Sequence, residues 1–257
     1  MVRHIRTLKY IVLSLATLFV SGCDTEDGLT CLKTTGDIIT EEITLDAFQK
    51  IIVFERVQLF VEEGPEVKVQ LETGENLRDD ISLEVDKGIL SIRNEGACNL
   101  FRPYGVTKVR VTHPNITEIR NSSGLAVESV GVIGWEQLRL VSDDLIEEDF
   151  YHKDGDFKMT LDTRSLMVQC NGLSNFFLDG KVDRLDIQLL EGDSRLPLEA
   201  LEVQQVTIFH SGTNDVIVAP LQSIRGTLSS TGNLILKNVP EIVEVETLFT
   251  GRLIIDD

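Results

Sequence analysis

The sequence predicts an all-β protein whose C-terminal part is a solenoid with coils of about 20 residues. Three observations predict it. Apolar and polar residues alternate with period two through most of the chain, and no long stretch carries a helical period. Turn signals rich in Gly, Asn and Asp interrupt that alternation at short, regular spacing. Glycine-bearing turns recur at Gly172, Gly192, Gly212, Gly232 and Gly251, in steps of 20, 20, 20 and 19 residues.

The elements follow in chain order. Residues 1–22 hold a basic head (Arg3, Arg6, Lys9), an apolar run from Tyr10 to Val20, and the small residues Ser21 and Gly22. This is the layout of a secretory signal peptide, and the run falls short of the roughly 20 residues that span a bilayer. Val20-Ser21-Gly22-Cys23 resembles the lipobox of exported lipoproteins, so Cys23 is the expected site of lipid attachment. Buried acyl chains contribute about 0.8 kcal/mol per methylene, enough in pairs for stable anchoring.

Loss of the leader lowers the basic count from 24 to 21 against 42 acids, so the net charge moves from -18 to -21. A chain that acidic is repelled by nucleic acid and by anionic lipid, which leaves the lipid on Cys23 as its expected membrane contact. Residues 23–36 read as a lipidated acidic tether, and Asp24, Glu26 and Asp27 are similar to the acidic tags of surface-exposed Bacteroidetes lipoproteins. An outer-membrane lipoprotein facing the periplasm or the cell surface is the expectation.

Exported proteins meet an oxidising compartment, where disulfides persist. Cys31, Cys98 and Cys170 allow three pairings. Cys31 with Cys98 would clasp the N-terminal segment to the turn-like stretch around Gly96, and Cys170, inside Leu166-Met167-Val168-Gln169-Cys170, reads as a small buried hydrophobe.

Residues 37–120 read as an N-terminal β region packed on the solenoid. Its strands are expected at 51–54, 57–62, 67–72, 81–85, 89–93, 106–112 and 116–120, parted by turns such as Glu63-Gly64-Pro65 and Asp86-Lys87-Gly88. Residues 121–257 read as the repeats, with Ser123-Gly124 and Ser142-Asp143-Asp144 as diverged turns. Apolar pairs follow the later turns at constant offset: Phe176 and Leu178, Leu196 and Leu198, Val216 and Val218; Asn238 breaks the fourth copy. A sandwich of evenly spaced hairpins is the competing architecture. The apolar end Leu253-Ile254-Ile255 would template aggregation if left bare, so terminal charges or a crossing segment should cap it.

Several motifs carry a family resemblance. Phe48-Gln49-Lys50-Ile51, Gly74-Glu75-Asn76-Leu77, Gly88-Ile89-Leu90-Ser91-Ile92, Asn121-Ser122-Ser123-Gly124 and Ser211-Gly212-Thr213-Asn214-Asp215 together resemble the DUF2807 family, the head GIN domain of an auto-transporter adhesin. The likeness runs from about Phe48 to Asp257. It implies a right-handed parallel β-helix-like fold and no particular catalytic residue. The family's Ser-Gly-Ser-Gly-Asp turns are degraded here to Asn171-Gly172-Leu173-Ser174-Asn175 and Glu191-Gly192-Asp193-Ser194.

Chemistry is sparse in the sequence. Beyond the leader, His113, His152 and His210 lack partners at metal-ligand spacing, and no nucleophile elbow, P-loop or dinucleotide fingerprint occurs. The acidic stretch 147–156 fails the calcium-loop register, with Phe150, His152 and Asp154 at its ligand positions, and reads as a solvated loop. Asp193, Arg195 and Asp215 form the candidate ligand face, where adjacent coils could present carboxylates to one sugar or cation. No catalytic residue, metal site or cofactor is assigned. The expected function is therefore a non-enzymatic, adhesin-like solenoid contacting a protein or glycan partner, the alternative being a polysaccharide-binding or polysaccharide-active β-helix protein.

Overall fold

The computed structural model describes residues 33–96, 104–148 and 150–256, and within them the chain is all-β apart from a 3-10 turn at Glu75–Asp80. Cys23, Cys31 and Cys98, and with them the lipid anchor and the expected clasp, lie outside the described residues. Seventeen strands join one continuous hydrogen-bonded network, curled so that alternate side chains turn inward.

The C-terminal strands are long because each inward position repeats from one coil to the next. β11 (Phe157–Cys170), β12 (Phe176–Leu189), β13 (Leu196–His210) and β14 (Val216–Leu228) pair in parallel, followed by the shorter β15 (Leu234–Leu236), β16 (Ile242–Thr247) and β17 (Leu253–Ile255). Parallel pairing places like on like: Leu166, Leu185, Val206 and Ile224 form one inward column, and Phe157 stacks on Phe176 with ring centroids 4.9 Å apart. All but β16 and β17 are buried along their inner face, and each apolar side chain so removed from water contributes about 1.5–3 kcal/mol. Cys170 sits in this core, fully buried as a free thiol.

The turn glycines are needed for contact more than for turn geometry. Among the five, only Gly192 has a positive φ, at 85°. A Cβ on Gly192 would lie 2.5 Å from the Gly172 carbonyl oxygen, on Gly232 2.4 Å from that of Asn214, and on Gly251 2.3 Å from that of Gly232. Stacked turns touch backbone to backbone, and a side chain has no room between them.

The N-terminal strands are not a separate layer laid on the stack; they are rungs of it. β2 (Lys50–Phe54) pairs in parallel with both β6 (Ile89–Asn94) and β8 (Glu118–Ser122), and β3 (Gln58–Glu63) with both β7 (Lys108–His113) and β9 (Val127–Ile133). The first coil in sequence is thus inserted between two later ones. β10 (Gln137–Ser142) continues from β8 into β11. The near end is closed by antiparallel strands: β5 (Ile81–Asp86) on β6, β4 (Lys68–Gly74) on β7, and β1 (Ile38–Glu42) on β4.

At the far end β16 bonds only to β14 and β17 only to β15 among the described residues. No crossing segment caps them there. The side chain of Asp256 pairs with Lys237 one coil back, and Ile255 remains 53% exposed.

Candidate functional site

Six residues, each immediately before a strand, stack in a single outward column: Asp156, Asn175, Arg195, Asp215, Asn233 and Arg252. Their order, acid then amide then guanidinium, occurs twice. Asp156 Oδ1 accepts from the backbone N–H and the Nδ2 of Asn175 at 2.9 and 2.8 Å, and Asp215 Oδ1 accepts from the same two groups of Asn233 at 3.0 and 2.9 Å. Asn233 Oδ1 in turn accepts from the Arg252 backbone N–H at 3.0 Å. Asp156, Asp215 and Asn233 each satisfy in this way a backbone donor that the turn would otherwise leave to water.

Two residues further along five of these six strands the outward side chains become apolar, β11 carrying Lys158 at that position. Phe177, Pro197, Ile217, Ile235 and Ile254 succeed one another on adjacent strands, a stripe spanning about 19 Å at the usual strand spacing. Phe177 is 46% exposed. Between ladder and stripe lies an open depression of about 520 Å³, lined by Asn175, Arg195 and Asp215 on the polar side and by Phe177, Pro197 and Ile217 on the apolar side. Such a surface offers flat apolar contact beside directional hydrogen-bonding groups, a combination suited to recognition.

Two of the three residues singled out in the sequence, Arg195 and Asp215, line this depression on neighbouring coils. Asp193 stacks instead on Thr213, whose hydroxyl donates to its carboxylate, and Asp193 N–H donates to the Gly172 carbonyl at 2.8 Å. Coil stacking therefore brings Asp215 to Arg195 and Asn233, and Asp193 to Thr213.

The acidic stretch 147–156 and the residues just before it do more than face solvent. Asp143 is buried against Arg120 at 3.1 Å and accepts from Gln169 Nε2 at 2.6 Å. Asp144 is held by Lys153 at 2.8 Å and by Asn171 Nδ2 at 2.7 Å. Tyr151 lies over the Arg120 guanidinium, 4.4 Å from ring centroid to Cζ, and both Phe150 and Tyr151 pack on Phe54. Glu147 and Glu148 are exposed, and among the described residues no three His, Cys, Asp or Glu side chains gather as metal ligands.

Burial disfavours the charged forms of three groups, Cys170, His113 and His210. Burial pushes the Cys170 thiol up to about 12, the dominant cause, against a smaller opposing hydrogen bond with Ser194. Burial lowers His113 and His210 below the usual imidazole value. His210 Nδ1 accepts from Gly212 N–H at 3.2 Å, while its Nε2 lies buried against Gly232 and makes no well-formed hydrogen bond among the described residues.

The family model for "putative auto-transporter adhesin, head GIN domain" matches residues 47–240. No curated protein matches the sequence. A crystal structure described as a putative adhesin from Bacteroides fragilis is similar at 17% identity and a TM-score of 0.72, covering 86% of this chain and 97% of its own. One described as a putative lipid binding protein from Parabacteroides distasonis is similar at 14% and 0.59, covering 85% and 97%. A putative adhesin from Parabacteroides merdae gives 14% and 0.54, again covering 85% and 97%. At these identities the likeness is one of fold.

Proposed function

The chain belongs to the head GIN domain family, DUF2807, and from that premise we propose that it is a non-enzymatic, adhesin-like protein of the cell envelope that binds a protein or matrix component through the ladder-and-stripe face. The observation that carries the reading is the juxtaposition of Phe177, Pro197 and Ile217 with Arg195 and Asp215 on a stacked, side-by-side set of strands. A rigid scaffold of that kind loses little conformational freedom on binding, so contact energy is not spent on ordering the surface.

In this reading the parallel coils form a right-handed β-helix-like solenoid, and the lipid on Cys23 holds it at the outer membrane, facing the periplasm or the cell surface. The mature charge of -21 supports a lipid anchor over electrostatic attachment. A polysaccharide partner is the second reading. Phe177 and Pro197 offer ring faces for stacking on a sugar, and Arg195, Asp215 and Asn175 offer hydrogen-bonding groups to its hydroxyls.

The test compares the lipid-free protein with the double variant Phe177→Asp, Ile217→Asp in retention of partners from an envelope extract and in binding to immobilised glycans. Loss of protein partners by the variant, with an unchanged melting temperature, is the expected result. Equal retention by both proteins would sink the assignment to this face, and turnover of a glycan would sink the non-enzymatic reading.

A further inference from the structure

The two ends of the stack are finished differently. At the near end β4 and β5 pair antiparallel with the rungs β7 and β6 and cover them, and β1 pairs antiparallel with β4. At the far end no strand lies on the last coil among the described residues. Its inward residues continue the core columns: Val243 stacks on Ile224, Val245 on Gly226, Leu253 on Leu234 and Ile255 on Leu236. Ile224, Leu234 and Leu236 are fully buried, whereas Val243 is 37% and Ile255 53% exposed, and Phe249 in the turn between β16 and β17 is 64% exposed. Repeat proteins ordinarily finish such an end with a polar capping unit, because a bare rung presents apolar side chains and unpaired backbone groups together.

Charge on this rung is mainly acidic. Between the last two coils Arg225 pairs with Glu244 at 2.8 Å, and Lys237 pairs with Asp256. In both pairs the cation belongs to the earlier coil and the carboxylate to the last. Residues 240–256 carry Glu241, Glu244, Glu246 and Asp256 against Arg252 alone. A strand added here would meet carboxylates on its outer face and valine, leucine and isoleucine on its inner face.

We propose that the open edge of β16 and β17 binds an extended segment of a partner protein in which apolar and basic residues alternate, adding it to the stack as a further strand. Its backbone would complete the hydrogen-bond ladder of β16, its apolar side chains would cover Val243, Val245, Leu253 and Ile255, and its lysines or arginines would face Glu244 and Glu246. Strand addition takes affinity from the main chain and specificity from alternate side chains. A second copy of this chain is the poorer occupant. Edge-to-edge pairing would set Glu244 and Glu246 against the same carboxylates, and like charges directly opposite across strands are destabilising.

The proposal is independent of the ladder-and-stripe face and is tested on its own. Fluorescence anisotropy would follow a labelled peptide of about eight residues, a usual strand length, with valine and lysine in alternation. Controls are a valine–glutamate alternation and a peptide of the same valine and lysine content with the two types in separate blocks. Saturable binding of the alternating valine–lysine peptide is expected. The block peptide and the E244K/E246K variant should each weaken it by at least about tenfold. Should that variant fail to fold, Glu246→Gln at its exposed position supplies the comparison. Absence of saturable binding overturns the proposal. So does equal affinity for the block peptide or for the charge variant, which would mark attraction to an acidic protein at large. A dimer in sedimentation equilibrium that the peptide does not dissociate, and that E244K/E246K abolishes, would assign the edge to a second copy instead.

Discussion

Arg120 and Asp143 lie 3.1 Å apart with both side chains withdrawn from solvent, 5% and 0% exposed. The pair joins β8 to the end of β10, with Gln169 from β11 completing the carboxylate's bonds and Tyr151 lying over the guanidinium. Removal of one partner leaves a buried charge uncompensated. Asp143→Ala should therefore cost about 3–5 kcal/mol in denaturant unfolding, whereas Arg120→Met with Asp143→Leu should restore most of that loss. A single variant as stable as the parent would mean that water reaches the guanidinium.

Acid should weaken the fold through its buried histidines. Burial lowers the folded-state value of His210 and His113 below 6.5, so the unfolded chain binds protons first as pH falls. Their neutral forms contribute fully above 6.5, and that contribution drains away as pH drops from there toward the folded value. Melting temperature should fall as pH drops below about 6.5, with a shallower slope in His210→Asn, which keeps an acceptor for Gly212 N–H. An unchanged slope would remove His210 from the account.

Cys170 should be chemically silent while the protein is folded. With the thiol pushed up to about 12 by full burial, thiolate is scarce at neutral pH and reagents have no approach. In a variant retaining Cys170 as its sole cysteine, a thiol-specific chromogenic reagent should report labelling only after unfolding in guanidinium. Rapid labelling of the native protein would show the β11 region to open locally.

The turn glycines should rank by proximity. A Cβ on Gly212 would stand 3.1 Å from the Gly192 carbonyl oxygen, against 2.4 Å from that of Asn214 for Gly232. Gly232→Ala should thus lower the melting temperature more than Gly212→Ala does. The reverse order would show that turn conformation, rather than the closeness of stacked backbones, selects glycine here.

The stacking period is legible in the sequence because parallel rungs repeat the same inward side chains, as at Leu166, Leu185 and Val206. The burial of Cys170 is legible for the same reason. The ladder is hidden when turns are aligned on their glycines. Asn175, Arg195 and Asp215 follow Gly172, Gly192 and Gly212 by three residues, but Asn233 and Arg252 follow Gly232 and Gly251 by one. Alignment on strand starts brings all of them into one column. The insertion of β2 and β3 between later rungs leaves no trace in sequence, since alternation reports which side of a strand is buried and nothing about which strand lies beside it.

That insertion separates the chain into parts that must assemble by different routes. From β11 onward each coil can dock on the one before it, so order can spread residue by residue behind a growing front. The coil of β2 and β3 has its two neighbours 39 and 68 residues downstream along the β2 side. Its loops must close over long spans before any contact rewards them, a slow process by comparison with local winding. A chain made N-terminus first therefore delivers β2 and β3 well before β6 and β8, and the first coil gains its last neighbour on the β2 side only after Ser122 has followed.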